Sequence, residues 1–109
     1  MDREKRAREN FCAGLNCGQS VFMAFADLTG LTYEQAMKLS APFGGGMGRM
    51  REVCGAVSAS MMVLGLLFYD AAHPTNEEKS ALYAREQEVA SRFRKAFGTI
   101  ICRELLEGT

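Results

Sequence analysis

The sequence predicts an all-α fold, a bundle of five to six helices around a central apolar helix at about 51–69, and three observations carry that prediction. No stretch alternates apolar and polar residues with the period of two that a half-buried strand needs. The two prolines, Pro42 and Pro74, stand where helical patterns stop. Between these breaks apolar residues recur at spacings of three and four, behind residues suited to capping.

The elements follow in order. Residues 2–12 are charged and form a peripheral N-terminal helix closed by Gly14. Its apolar face is the weakest, so this helix is the one expected to swing out or pack on a partner chain. Asn16 caps a second helix whose apolar face is Val21, Phe22, Phe25 and Leu28, with Gly30 at its end. Thr32-Tyr33-Glu34-Gln35 has the form of a capping box and opens a third, carrying Ala36, Met37 and Leu39. That helix runs to Pro42, because the residue before a proline is pushed out of the helical region. A glycine-rich loop, Phe43-Gly44-Gly45-Gly46-Met47-Gly48, leads into the central helix. There Ala, Ser and Gly at 55, 56, 58, 59, 60 and 65 allow close approach, while Val57, Met61, Leu64 and Phe68 supply bulk. Thr75 caps a long amphipathic helix to about Phe97, with Leu82, Val89, Phe93 and Phe97 on one face. Glu77 and Glu78 near its start and Arg92, Arg94 and Lys95 near its end agree with the macrodipole. Gly98 ends it, Thr99 caps a short last helix through Leu106, and Gly108 follows.

With 109 residues, 48% hydrophobic and 24% charged, the chain is expected to be one helical domain over 1–109. Thirteen basic side chains against thirteen acidic ones remove the electrostatic argument for nucleic acid or an anionic membrane surface. The uncharged stretch 53–69 holds 17 residues including Cys54, Ser58 and Ser60, which reads as a buried helix and not as a membrane span. The N-terminus has charge but no apolar region behind it, so no secretory signal is expected and the location expected is cytoplasmic.

Four cysteines, Cys12, Cys17, Cys54 and Cys102, are many for such a chain. In a reducing compartment they point to metal binding or thiol chemistry more than to a disulfide framework, although free cysteine also serves as a small buried hydrophobe. Cys17 follows the Asn16 cap, Cys54 lies within the first turn of the central helix, and Cys102 is third after Thr99. A helix N-terminus offers unpaired N–H groups and the positive end of the dipole, and both favour a thiolate. Arg49 and Arg51 bracket the start of the Cys54 helix and add to that effect. No C-x-x-C pair occurs, and Cys12 and Cys17 are five apart across Gly14. Any disulfide or metal site therefore has to be assembled from distant segments, and all pairings remain open. His73, next to Pro74, reads as a solvated linker residue, and Met23, Met37, Met61 and Met62 as packing.

The glycine loop has two readings. Gly44, Gly45 and Gly46 with Arg49 and Arg51 form a candidate anion or small-molecule site where a turn runs into a helix start. No Gly-Lys-Ser/Thr follows, so it is not a P-loop. The other reading is a tight connection needing positive φ, which brings the Cys54 helix start against other helix ends.

The run Phe43 through Arg49, with Glu52-Val53-Cys54-Gly55-Ala56 behind it, resembles the C_GCAxxG_C_C family. Cys17-Gly18-Gln19-Ser20-Val21 is similar to that family's first cysteine segment and Ile101-Cys102-Arg103-Glu104-Leu105-Leu106 to its third, so the likeness covers about 16–106. Ala59 stands where the family has its second glycine, and no cysteine follows Leu106 where the family's last one would lie. Cys12 is extra, upstream of the pattern. The resemblance implies redox-active or metal-binding cysteines and specifies no reaction.

The leading expectation is that Cys17, Cys54 and Cys102 gather at helix N-termini as catalytic or metal-ligating thiols. They would serve thiol/disulfide exchange, electron transfer, or ligation of a thiophilic metal ion or iron–sulfur cluster. A redox partner protein would then be the macromolecular partner. The alternatives are a non-catalytic helical module that forms homo-oligomers or binds a partner, and anion binding at the glycine loop. Whether the chain is an enzyme is left open.

Overall fold

A computed structural model describes residues 2–107. Gly108, expected to follow the last helix, lies outside the described residues. Among those residues seven α-helices occur: α1 Arg3–Cys12, α2 Cys17–Ala24, α3 Ala26–Thr29, α4 Tyr33–Ser40, α5 Gly55–Phe68, α6 Asn76–Phe97 and α7 Cys102–Glu107. A 3-10 turn at Ala41–Phe43 and the glycine loop connect α4 to α5. The one β-type pairing among them is an isolated antiparallel bridge between Val53 and Ile101. The fold is all-α, as the sequence predicts.

Capping side chains start the helices where the sequence places them. Asn16 and Thr32 each form a complete capping box, with Gln19 and Gln35 returning the bond. Thr75 Oγ1 accepts from the Glu78 N–H at 3.1 Å and opens α6, while Gly98, at φ 90°, closes it.

Three boundaries differ from expectation. The second helix breaks at Phe25 (φ −113°, ψ 8°), whose N–H turns back to the Phe22 carbonyl, so α3 is a separate single turn. The central helix starts at Gly55 and not near 51. Arg51 sits at φ 62°, and the backbone groups of residues 51–54 pair with residues 100–103 instead of continuing a helix. The last helix starts at Cys102, because Thr99 Oγ1 accepts from the Ile101 N–H two residues on.

The core sits where α2 and α5 meet. Phe22 and Met23 of α2, Ala36 of α4, and Ala59 and Val63 of α5 are buried together. Ala59 is fully enclosed there, so the extra methyl at that position is accommodated. Helix α1 buries none of its residues and is tied down by polar groups instead. Arg3 donates to Asp27 at 2.8 and 3.0 Å and to the Ala24 carbonyl at 2.7 Å, and Asn10 Nδ2 donates to the Ser20 carbonyl at 3.1 Å. On α6, Leu82, Val89 and Phe93 are half-buried, whereas Phe97 turns outward and packs on the Phe93 ring at 4.7 Å. Among the described residues no helix is long and apolar enough to cross a membrane.

Candidate functional site

The site begins with the backbone of the glycine loop. Five successive residues, Gly45, Gly46, Met47, Gly48 and Arg49, have φ between 61 and 71°, and Arg51 adds a sixth left-handed residue at 62°. Three of the six are not glycine, and each L side chain in this region costs about 1–2 kcal/mol. Surrounding hydrogen bonds hold the strained turn: Arg51 N donates to the Gly45 carbonyl at 3.1 Å and Glu52 N to that of Gly46 at 3.0 Å. The loop is thus wound left-handed and laid against the chain that follows it.

That winding delivers Cys54 and Cys102 to the same place. Cys54 N donates to the Ile100 carbonyl at 2.7 Å, and Cys102 N to the Glu52 carbonyl at 2.6 Å, on either side of the Val53–Ile101 bridge. Cys54 and Cys102 thus flank that bridge, close enough for the Cys102 thiol to act electrostatically on Cys54. Arg51 Nη1 donates to Cys102 Sγ at 3.7 Å. Gly46 is buried directly behind: a Cβ there would stand 2.7 Å from Cys102 Cβ.

Cys17 is brought in through two glycines. A Cβ at Gly55 would lie 2.5 Å from the Phe43 carbonyl oxygen, 2.9 Å from Gly18 N and 3.2 Å from Cys17 Sγ. Gly18 and Gly55, each directly after a cysteine, therefore let the starts of α2 and α5 close on one another and on Phe43. Cys17 is the first residue of α2, Cys54 the N-cap of α5 and Cys102 the first residue of α7.

The electrostatics of Cys54 differ from the sequence expectation. Burial pushes its thiol above the ordinary range, the N–H groups of Ala56 and Val57 act against this, and the neighbouring thiols Cys17 and Cys102 push it further up. Burial outweighs the helix start, so the thiol form is favoured. Cys17 and Cys102 both lie within electrostatic reach of Cys54. All four cysteines are free, with Cys17, Cys54 and Cys102 half-buried and Cys12 exposed. Among the described residues no three His, Cys, Asp or Glu groups are gathered to hold one metal ion.

Of the glycine-loop candidates, Gly44, Gly45, Arg49 and Arg51 line one hollow of about 350 Å³ with Asn16, whereas Gly46 lies behind it against Cys102. His73 pairs with Asp70 at 2.8 Å, away from the cysteines in an exposed linker. Gly18 and the Phe43 carbonyl were not among the expected site residues. Their signal in the sequence is the repeated Cys-Gly dipeptide, at 17–18 and 54–55. Comparison with known families matches residues 15–109 to the family described as "Putative redox-active protein (C_GCAxxG_C_C)". No curated protein and no solved structure matches the chain.

Proposed function

The chain belongs to the C_GCAxxG_C_C family, and we propose that it is a thiol–disulfide redox protein in which Cys17, Cys54 and Cys102 act as one group. The observation that carries this reading is the meeting of three cysteine-bearing helix starts around one left-handed loop, with Cys54 sensing both other thiols. Arg51 gives Cys102 a cationic donor, so negative charge on that sulfur has a partner when it attacks. Cys54, whose thiol form burial favours, is the resolving sulfur.

The step balances with an external disulfide, R–S–S–R, as oxidant. The Cys102 thiol loses its proton to solvent, and its sulfur attacks one sulfur of that disulfide, forms Cys102–S–S–R and releases R–S⁻. Cys54 loses its proton to solvent and attacks Cys102 Sγ, closing a Cys54–Cys102 disulfide and releasing the second R–S⁻. Two protein sulfurs are oxidised and the external disulfide takes up the two electrons. Cys17 loses its proton to solvent and attacks Cys54 Sγ of that disulfide, forming Cys17–S–S–Cys54 and releasing Cys102 as the thiolate. A second reading, soft-metal ligation by the same three sulfurs, is favoured by the two soft donors Cys17 and Cys102 near Cys54 and requires the three to draw closer together.

Equilibration in glutathione buffers of rising oxidation, followed by trapping and peptide mass spectrometry, tests the redox reading. Cys54 is expected to enter a disulfide with Cys102 or Cys17. Cys17, Cys54 and Cys102 all remaining free and alkylatable at the most oxidising ratio would overturn it.

A further inference from the structure

Cys12 lies upstream of residue 15, where the family match begins, and the redox reading makes no use of it. It is the last residue of α1 and exposed, while Cys17 opens α2 and is half-buried. Both line one groove of about 360 Å³, whose other walls include Arg8, Phe11, Val21 and Ala56. The two helix ends are held beside each other. Asn10 donates to the Ser20 carbonyl at 3.1 Å and accepts, through its own carbonyl, from Leu15 N at 3.2 Å. The turn between the cysteines is open around Gly14, where a Cβ would meet nothing within 4 Å.

On this groove the exposed Cys12 sulfur is reached by an incoming disulfide before the half-buried Cys17 sulfur. Only residues 13–16 separate the two cysteines, so little chain entropy opposes bringing their sulfurs together. We propose that Cys12 and Cys17 form a dithiol pair at this groove, with Cys12 taking the oxidising equivalent from an external disulfide and passing it to Cys17. The Cys12 thiol loses its proton to solvent, and its sulfur attacks R–S–S–R, forms Cys12–S–S–R and releases R–S⁻. Cys17 loses its proton to solvent and attacks Cys12 Sγ, which closes the Cys12–Cys17 disulfide and releases the second R–S⁻. Phe11 and Val21 suit an apolar body, while Arg8 at the groove is already paired with Glu4. The substrate class is therefore an organic disulfide with an apolar or aromatic body.

The inference rests on Cys17 being a redox thiol, and one experiment separates the two ideas. The reduced full chain is treated with one equivalent of dithiobis(nitrobenzoic acid), trapped with N-ethylmaleimide and digested with trypsin. Cys12 and Cys17 stay together in peptide 9–38, while Cys54 and Cys102 fall in peptides 52–79 and 96–103. Peptide 9–38 is expected to carry an internal disulfide and no adduct, with two thionitrobenzoate ions released for each disulfide formed. In the Cys12→Ser variant that internal disulfide is absent, and reaction at Cys17 slows. If Cys12 keeps its adduct or its maleimide while Cys17 is joined to peptide 52–79, the inference is overturned and the redox reading stands. Modification of Cys12 alone, with Cys17, Cys54 and Cys102 all trapped as thiols, would overturn both.

Discussion

At the scale of single residues, the site depends on side chains that are missing. Gly55 has no space for a Cβ, because the Phe43 carbonyl, Gly18 N and Cys17 Sγ crowd that position from three directions. Gly65, in the same helix, has nothing within 4 Å. Gly55→Ala is expected to destabilise the protein by about 1–3 kcal/mol, as overpacking does, and Gly65→Ala to be neutral or stabilising by up to about 1 kcal/mol from helix propensity. Urea denaturation of the two variants checks this, and equal midpoints would contradict the close approach of α2 and α5. The Cys-Gly dipeptides were visible in the sequence, but not that the two glycines face each other, which is a tertiary fact. The positive φ of Met47, Arg49 and Arg51 was hidden for a related reason: none of the three is a residue that advertises left-handed backbone.

Whole elements were more legible. Asn16, Thr32 and Thr75 cap the helices that their sequence positions announce, since a cap needs only its own side chain and the next three residues. The start of α5 was misread by about four residues, because pairing of 51–54 with 100–103 overrides local propensity. Helix α1, read as the loosest element, is fastened by Arg3 and Asp27. The Arg3 hydrogen bond first, and its charge together with that of Arg6, hold the Asp27 carboxyl down at about 2 from an ordinary 3.8, against desolvation that acts the other way. A carboxylate whose folded value is depressed stabilises above its unfolded value and loses that contribution as pH falls through the folded one. The docking of α1 should therefore be at full strength above about pH 4 and fade toward pH 2. An NMR titration should show the α1 amide shifts moving with the Asp27 carboxyl. Asp27→Asn should loosen α1 already at neutral pH, and α1 shifts unchanged in that variant would contradict the fastening role. Because the pair is exposed, added salt should weaken it.

For the whole molecule, a Cα radius of gyration of 14.1 Å and extents of 43 × 30 × 27 Å describe a somewhat elongated globule. That is slightly above the roughly 13 Å of an average domain near this length, and the longest element is the 22-residue α6. The largest fully buried side chains are Phe22, Val57 and Ser40, so the apolar core is modest and lies next to the cysteine-bearing ends of α2 and α5. The all-α class was readable because helical periodicity repeats along the chain. The convergence of Cys17, Cys54 and Cys102 was readable only as an expectation, since it depends on how a left-handed loop turns the chain before α5. That convergence is the central claim, and a trivalent arsenical that must bridge two sulfurs tests it most directly. Phenylarsine oxide is added to the reduced Cys12→Ser variant, and protection of each cysteine from alkylation is read by mass spectrometry. The account predicts one arsenic per chain, bridging Cys54 to Cys17 or Cys102 and shielding both from alkylation. No bound arsenic, with the three cysteines alkylated at rates the arsenical leaves unchanged, would contradict it.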